Sequence, residues 1–182
     1  MKRMRRFLAG FAVVGLAVVG WGGLARAAVP RLLPDHDVMG VYRISQPGRQ
    51  ATGVTVLLDL ASGSAHVVVP QMHAVVAVPG LSGLINKVLD ENGAHFTPLG
   101  QARIAGHACT RYLVLKRKGD GTACITQGGV VLAATGKDAR GSMSVTALQV
   151  ADAPQPPGDF VLPQGYSSIS LPPQMLAQLL GG

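Results

Sequence analysis

The two cysteines, Cys109 and Cys124, are the residues whose types and spacing most suggest chemistry. Fourteen residues lie between them, so they do not form a CxxC redox motif. His107 could join them at a zinc ion, but zinc takes four ligands and no fourth is evident. Because cysteines in an oxidising compartment pair by default, a disulfide is expected, with two free thiols as the alternative.

This disulfide would constrain how the flanking strands pair. If the hairpin turn is centred near Gly119, Cys124 faces Leu115 and Cys109 faces about Val130. That register separates the cysteines by roughly 20 Å of strand. Since bridged cysteines have Cα atoms about 4.4–6.8 Å apart, the bond requires a wide loop that begins near Leu115, or a bulge that shifts the register.

Histidines next to acids raise the question of a metal site. Asp35, His36 and Asp37 are consecutive, but neighbours on an extended strand point to opposite faces. His66 and His73 could meet across a hairpin, yet they supply two of the three or four protein ligands that zinc takes. The sequence therefore predicts neither a metal nor another cofactor.

A nucleophile is suggested most closely by "GLSGL" at 80–84, where Leu84 replaces the last glycine of a nucleophile elbow. No parallel α/β pattern surrounds it, so Ser82 is better explained as a helix cap. Asp90 and Glu91 are expected on the polar side of the same helix. No set of residues meets the requirements of a catalytic site, and we predict that the protein is not an enzyme.

Residues 1–27 have the pattern of a signal peptide: a basic start, an apolar run over 7–24 and the small residues of "ARA". Cleavage is expected between Ala27 and Ala28. An uncleaved membrane anchor is the alternative, because the 18-residue run is near the lower limit for a spanning helix. Both interpretations place the rest of the chain outside the cytoplasm, and cleavage leaves no stable membrane insertion.

The charge of the chain belongs largely to this leader. Five of the sixteen basic residues lie in it, which leaves eleven basic against nine acidic residues. So small an excess gives no support for a nucleic-acid partner. The remaining stretch of about 155 residues matches one domain.

Short β-branched runs separated by turn residues fill residues 28–152, which predicts a mainly β domain with a curved antiparallel sheet or half-barrel. Along 52–60, Val54, Val56 and Leu58 alternate with Thr55 and Asp59, so we expect one dry and one wet side. The predicted strands are 38–45, 52–60, 65–70, 72–78, 101–106, 109–116, 122–127, 129–135 and 142–151.

One amphipathic helix over 82–91 is expected to cover the dry side. Its apolar residues recur with helical spacing, and together they form the stripe Leu81, Leu84, Ile85, Val88 and Leu89. The proline-rich segment 153–182 is expected to lie on the same domain, held by Phe160, Leu162 and Tyr166, and to end in a short helix.

The stretches "PDHDVMGVYRIS", "GQARIAGHACTRYLVLKRKGDGTACITQGGVVL" and "FVLPQGY" resemble small, mostly uncharacterised envelope proteins related to the LolA-like, outer-membrane lipoprotein-sorting superfamily. The resemblance implies a half-barrel whose concave apolar face is covered by helices and, in the carriers, holds acyl chains. It also implies a Gram-negative periplasm as the location.

Two functions follow as expectations. The first is a non-enzymatic periplasmic binding or carrier protein for an acyl chain or other amphiphile. Its expected binding residues are Val56, Leu58, Leu81, Leu84, Ile85, Val88 and Leu89. The second is an envelope interaction protein with a solid core, whose partner is another envelope protein. In the second, the same apolar residues merely fill a core.

Overall fold

The computed structural model describes residues 29–83, 85–86, 93–117, 119–138, 141–151, 153–154, 156 and 160–170. The predicted signal peptide with its cleavage site at Ala27 and Ala28 lies outside these residues, as does the predicted C-terminal helix. Within the described part of the chain, no helix is long and apolar enough to cross a membrane.

Ten strands form one sheet in the order β10-β4-β3-β2-β1-β9-β8-β7-β6-β5. All neighbours pair antiparallel except β10, which runs parallel to β4, and a short 3-10 helix, Pro70–Met72, joins β3 to β4. The strands are β1 Val38–Ser45, β2 Thr52–Asp59, β3 Ser64–Val69, β4 Ala74–Val78, β5 His95–Ile104, β6 His107–Lys116, β7 Gly119–Ile125, β8 Val131–Asp138, β9 Gly141–Ala151 and β10 Ser167–Ser170.

Two hydrogen bonds between strands that are not neighbours show how strongly the sheet curves. Nε2 of His107 on β6 donates to the carbonyl of Val150 on β9 over 3.1 Å. These strands are three positions apart in the sheet, which would be about 14 Å in a flat sheet. The Tyr42 hydroxyl on β1 likewise donates to the carbonyl of Val131 on β8 over 3.2 Å. The predicted mainly β fold with a curved sheet is confirmed, and the sheet is unclosed.

The larger core cluster joins the centre of the sheet to its β6–β8 side. Leu132 at its centre has no exposed surface, and Val56 and Leu58 of β2 pack against the cluster while remaining partly exposed. Burial of this kind stabilises by about 1.5–3 kcal/mol for each large apolar side chain. The buried members are Val38, Tyr42, Val54, Cys109, Cys124, Val130, Leu132, Ala147 and Val150.

A second cluster lies on the opposite face of β2. Leu57, Val68 and Val75 are buried there, and Phe160, Leu162, Tyr166 and Met39 pack against them. The predicted wet side of the sheet is therefore wrong. Leu57 breaks the alternation of β2, and the C-terminal segment, far away in sequence, supplies the cover.

The start of the predicted helix lies beside the β2–β3 turn. Residues 81–83 and 85–86 are helical, and Leu81 and Ile85 are partly buried. The backbone N–H of Leu81 donates to the carbonyl of Gly63 over 3.1 Å. Leu84, Val88 and Leu89 lie outside the described residues.

Cys109 and Cys124 form a disulfide with their Cα atoms 5.4 Å apart, as predicted. The strands do not adopt the register centred near Gly119, as the bond requires, because Lys116 pairs with Gly119. Cys124 therefore faces Arg111, two residues from Cys109, and the cysteines are diagonal neighbours. Neither a wide loop nor a bulge between β6 and β7 is needed.

Candidate functional site

The residues predicted to bind an acyl chain are in part core residues. Val56 and Leu58 pack against the larger cluster, and Leu81 and Ile85 lie at the start of the helix with intermediate burial. The other three, Leu84, Val88 and Leu89, are not among the described residues, and the binding role of the whole set stays a prediction.

The acids and histidines that raised the metal question make local contacts. Asp35 accepts a hydrogen bond from His36 over 2.9 Å and another from Arg31 over 3.2 Å. The hydrogen bond from His36 is the largest cause that holds the pKa of Asp35 below its ordinary value. Asp37 accepts from the backbone N–H of Leu60 over 2.8 Å. Among the described residues, no group of three or more potential ligands could hold a metal ion.

An open groove of about 510 Å³ lies across the strand ends near the β1–β2 turn. Its centre is a row of hydroxyl groups contributed by neighbouring strands. Ser45 on β1 pairs with Ser144 on β9, Ser144 with Thr135 on β8, and Thr135 with Thr122 on β7. Leu113 on β6 ends the row. Residues paired across a sheet share one face, so these side chains line the groove together.

The four hydroxyls of this row differ in their partners. The Thr122 and Thr135 hydroxyls are 2.9 Å apart and share one hydrogen bond, while the backbone N–H of Thr122 donates to the Thr135 hydroxyl over 3.0 Å. Ser45 and Ser144 have no side-chain hydrogen bond within the part of the chain that the structure describes. These two hydroxyls can therefore donate to and accept from a bound molecule.

Positive charges flank the hydroxyl row. Arg43 and Arg111 occupy the next row on the same face, two residues before the members of the hydroxyl row on β1 and β6. On the other side, Lys137 lies opposite Asp120. All four side chains are exposed, and the described residues show no ion pair among them. Lys137 and Asp120 line the groove and the two arginines lie one row away on the same face. This excess of positive charge favours an anionic ligand.

The sequence patterns did not reveal this groove. A hairpin turn centred near Gly119 would leave Asp120 and Gly121 in the turn, whereas both line the groove at the start of β7. The available signal was the repeated occurrence of Ser or Thr on strands with otherwise apolar residues, in "GTAC", "AATG" and "GSMS".

Comparison with known proteins identifies the fold. No protein-family model matches the chain, and no curated protein matches it in sequence. The crystal structure of MucB is similar with a TM-score of 0.57 at 10% identity, over 75% of this chain and 61% of that chain. MucB in complex with MucA(peri) gives a TM-score of 0.54 at 11% identity, over 74% and 57%.

The MucA/MucB complex of Pseudomonas aeruginosa gives a TM-score of 0.50 at 11% identity, over 76% of this chain and 59% of that chain. This chain therefore spans about three fifths of the length of the structures it matches. Membership of the LolA-like superfamily stays a prediction. The shared feature is the curved sheet, and the chain is similar to MucB in fold.

Proposed function

We propose that this protein is exported to the bacterial periplasm and acts there, without catalysis, as a binding protein for another envelope protein. The observation that carries the proposal is the open, hydroxyl-lined groove on a curved sheet. MucB has a similar sheet and has been solved in complex with MucA(peri), so a protein with this fold can bind a protein partner.

The open shape of the groove and the filled core of the sheet support a protein partner over an acyl chain. An acyl chain gains affinity by leaving water for an apolar lining. The groove is open to solvent, and it presents hydroxyls beside two large apolar side chains, Leu113 and Met143. The larger core cluster fills the space between β1, β2 and β6–β9 with side chains that are at most 9% exposed.

The same lining argues for binding without catalysis. No histidine or cysteine lies among the residues that line the groove. A serine or threonine hydroxyl needs an adjacent base to become a nucleophile. The groove hydroxyls therefore serve as hydrogen-bonding groups in this proposal.

A photo-crosslinking experiment in the native host tests the proposed function. The crosslinking amino acid p-benzoylphenylalanine replaces Thr135 in the groove and, as a control, Ser62 in the exposed β2–β3 turn. We expect a crosslinked protein at Thr135 and none at Ser62. Native mass spectrometry of protein purified without detergent completes the test. A retained lipid, without any protein crosslink, would overturn the proposal in favour of the acyl carrier.

A further inference from the structure

We infer that the groove binds an acidic, extended segment of the partner protein, with carboxylates that contact Arg43 and Arg111. The inference rests on the proposed function, and it adds the surface, the chemistry of the segment and its approximate length. Its basis is the arrangement of cations and of hydroxyls without a side-chain partner among the described residues, all on one face of the sheet.

The two arginines determine the length of the segment. Arg43 is on β1 and Arg111 on β6, and β9, β8 and β7 lie between them. Four strand spacings amount to about 19 Å, and the curvature of the sheet shortens this distance. An extended peptide advances about 3.3 Å per residue, so acidic residues four to six positions apart would reach both guanidinium groups. Each guanidinium can bind a carboxylate through two parallel hydrogen bonds.

The hydroxyls in the row next to the arginines suit a peptide backbone. The Ser45 and Ser144 hydroxyls have no side-chain partner among the described residues. Peptide N–H and C=O groups need such partners when they leave water. An acidic segment would therefore find donors for its carboxylates and partners for its backbone in one groove.

The distribution of charge along the chain favours the same partner. Residues 95–151 contain seven basic and two acidic residues, whereas the C-terminal part from 152 onward contains two acidic and no basic residues. The β5–β9 side of the sheet therefore carries most of the positive charge that remains after the leader. A field of one sign concentrates oppositely charged ligands and accelerates their association, and salt weakens it.

Fluorescence anisotropy with a defined probe tests this inference on the leaderless full chain. The probe is a fluorescein-labelled ten-residue peptide with two Glu residues five positions apart in a Gly/Ser background, and its matched control carries Gln in place of Glu. We expect the Glu peptide to bind at least about tenfold more tightly than the Gln peptide, because each charge-assisted contact contributes about that factor. The difference should shrink at 0.5 M salt.

A matched pair of variants locates the site. R43Q/R111Q removes the two arginines in the row beside the groove. R31Q/R103Q removes the same charge elsewhere, where Arg31 contacts Asp35 and Arg103 donates to the carbonyl of Gly106. We expect R43Q/R111Q to lose binding at least about tenfold and R31Q/R103Q less than twofold. Equal loss in both variants would overturn the inference, because it would indicate general charge attraction. Melting temperatures of both variants establish that they fold.

Two further outcomes separate this inference from the proposed function. If the protein that crosslinks at position 135 binds wild type and R43Q/R111Q with equal affinity, the proposed function stands and the acidic-segment inference is wrong. Vesicles of phosphatidylglycerol provide the other comparison. If they bind through Arg43 and Arg111 and the Glu peptide does not, the groove recognises an anionic membrane surface, which also overturns the inference.

Discussion

Gly121 and Gly136 lie directly opposite each other on β7 and β8, but only at Gly121 do the two backbones approach too closely for a side chain. A Cβ added at Gly121 would overlap with the carbonyl oxygen of Thr135 and lie 3.2 Å from the Cα of Gly136. A Cβ added at Gly136 meets no heavy atom within 4 Å. The two glycines therefore have different roles in one cross-strand pair.

We expect G121A to lower the free energy of unfolding by about 1–3 kcal/mol, because the backbone of β8 has to move away from the added methyl group. G136A is the matched control, with an expected change within about 0.5 kcal/mol. Urea denaturation followed by circular dichroism measures both. Equal stability of the two variants would show that β7 and β8 are further apart than the structure places them.

Removal of the disulfide should destabilise the protein without changing its fold. Cys109 and Cys124 are 15 positions apart. A cross-link that closes a loop of this length stabilises the folded protein by about 3 kcal/mol, because it restricts the unfolded chain. Urea denaturation of C109A/C124A, compared with wild type in the absence of reductant, measures the loss. Thiol counting on denatured, unreduced protein gives an independent reading, and two free thiols per chain would contradict the bond.

Asp59 should make stability depend on pH in the acid range. A hydrogen bond from the backbone N–H of Ser62, followed by one from its hydroxyl, holds the pKa of Asp59 below its ordinary value of 3.8. A lowered pKa contributes stability above the ordinary value, and that stability is lost as the pH falls through the folded-state pKa. D59N should therefore be less stable than wild type at pH 7, and the difference should shrink as the pH falls below 3.8 and vanish below the lowered pKa of Asp59.

Thermal melts of wild type, D59N and S62A between pH 2 and pH 7 test this expectation. S62A retains the backbone N–H, which is the larger cause of the lowered pKa, so its melting curve should follow wild type more closely than D59N does. A constant difference between wild type and D59N at every pH would show that the carboxylate charge of Asp59 makes no contribution.

The predicted signal peptide should be removed during export. The exported protein should begin at Ala28, and its intact mass should lack residues 1–27. A27R should block cleavage, because the peptidase accepts small side chains at this position, whereas R26K should be processed normally. An unprocessed wild-type chain in the membrane fraction would favour the alternative of an uncleaved anchor.

The strands could be predicted where their residues follow simple rules. The predicted runs 38–45 and 52–60 match β1 and β2 closely, since β-branched residues alternate there between turn residues. The first half of β5 was missed because Pro98 and Gly100 suggest a break. Both lie at a bulge in a strand at the end of the sheet, where proline and glycine are tolerated.

The groove could not be predicted from local sequence patterns. Its hydroxyl row depends on the pairing of Ser45 with Ser144, which joins two strands that are far apart in sequence. Local patterns indicate which residues form strands, but the order of strands in the sheet comes from packing of the whole chain. A change of one residue in the β1–β9 register would turn either serine to the opposite face.

The pairing of β1 with β9 also determines when folding can finish. Met39 at the start of β1 lies opposite Ala151 at the end of β9, so the centre of the sheet is closed by a contact of very high sequence separation. Contacts of this kind slow folding, because the chain loses loop entropy before any packing compensates for it. The N-terminal half alone leaves one edge of β1 unpaired. This edge is covered only when β9, which ends at residue 151, is available to pair with it. The order of strands in the sheet thus delays completion of the fold until most of the chain is available to fold.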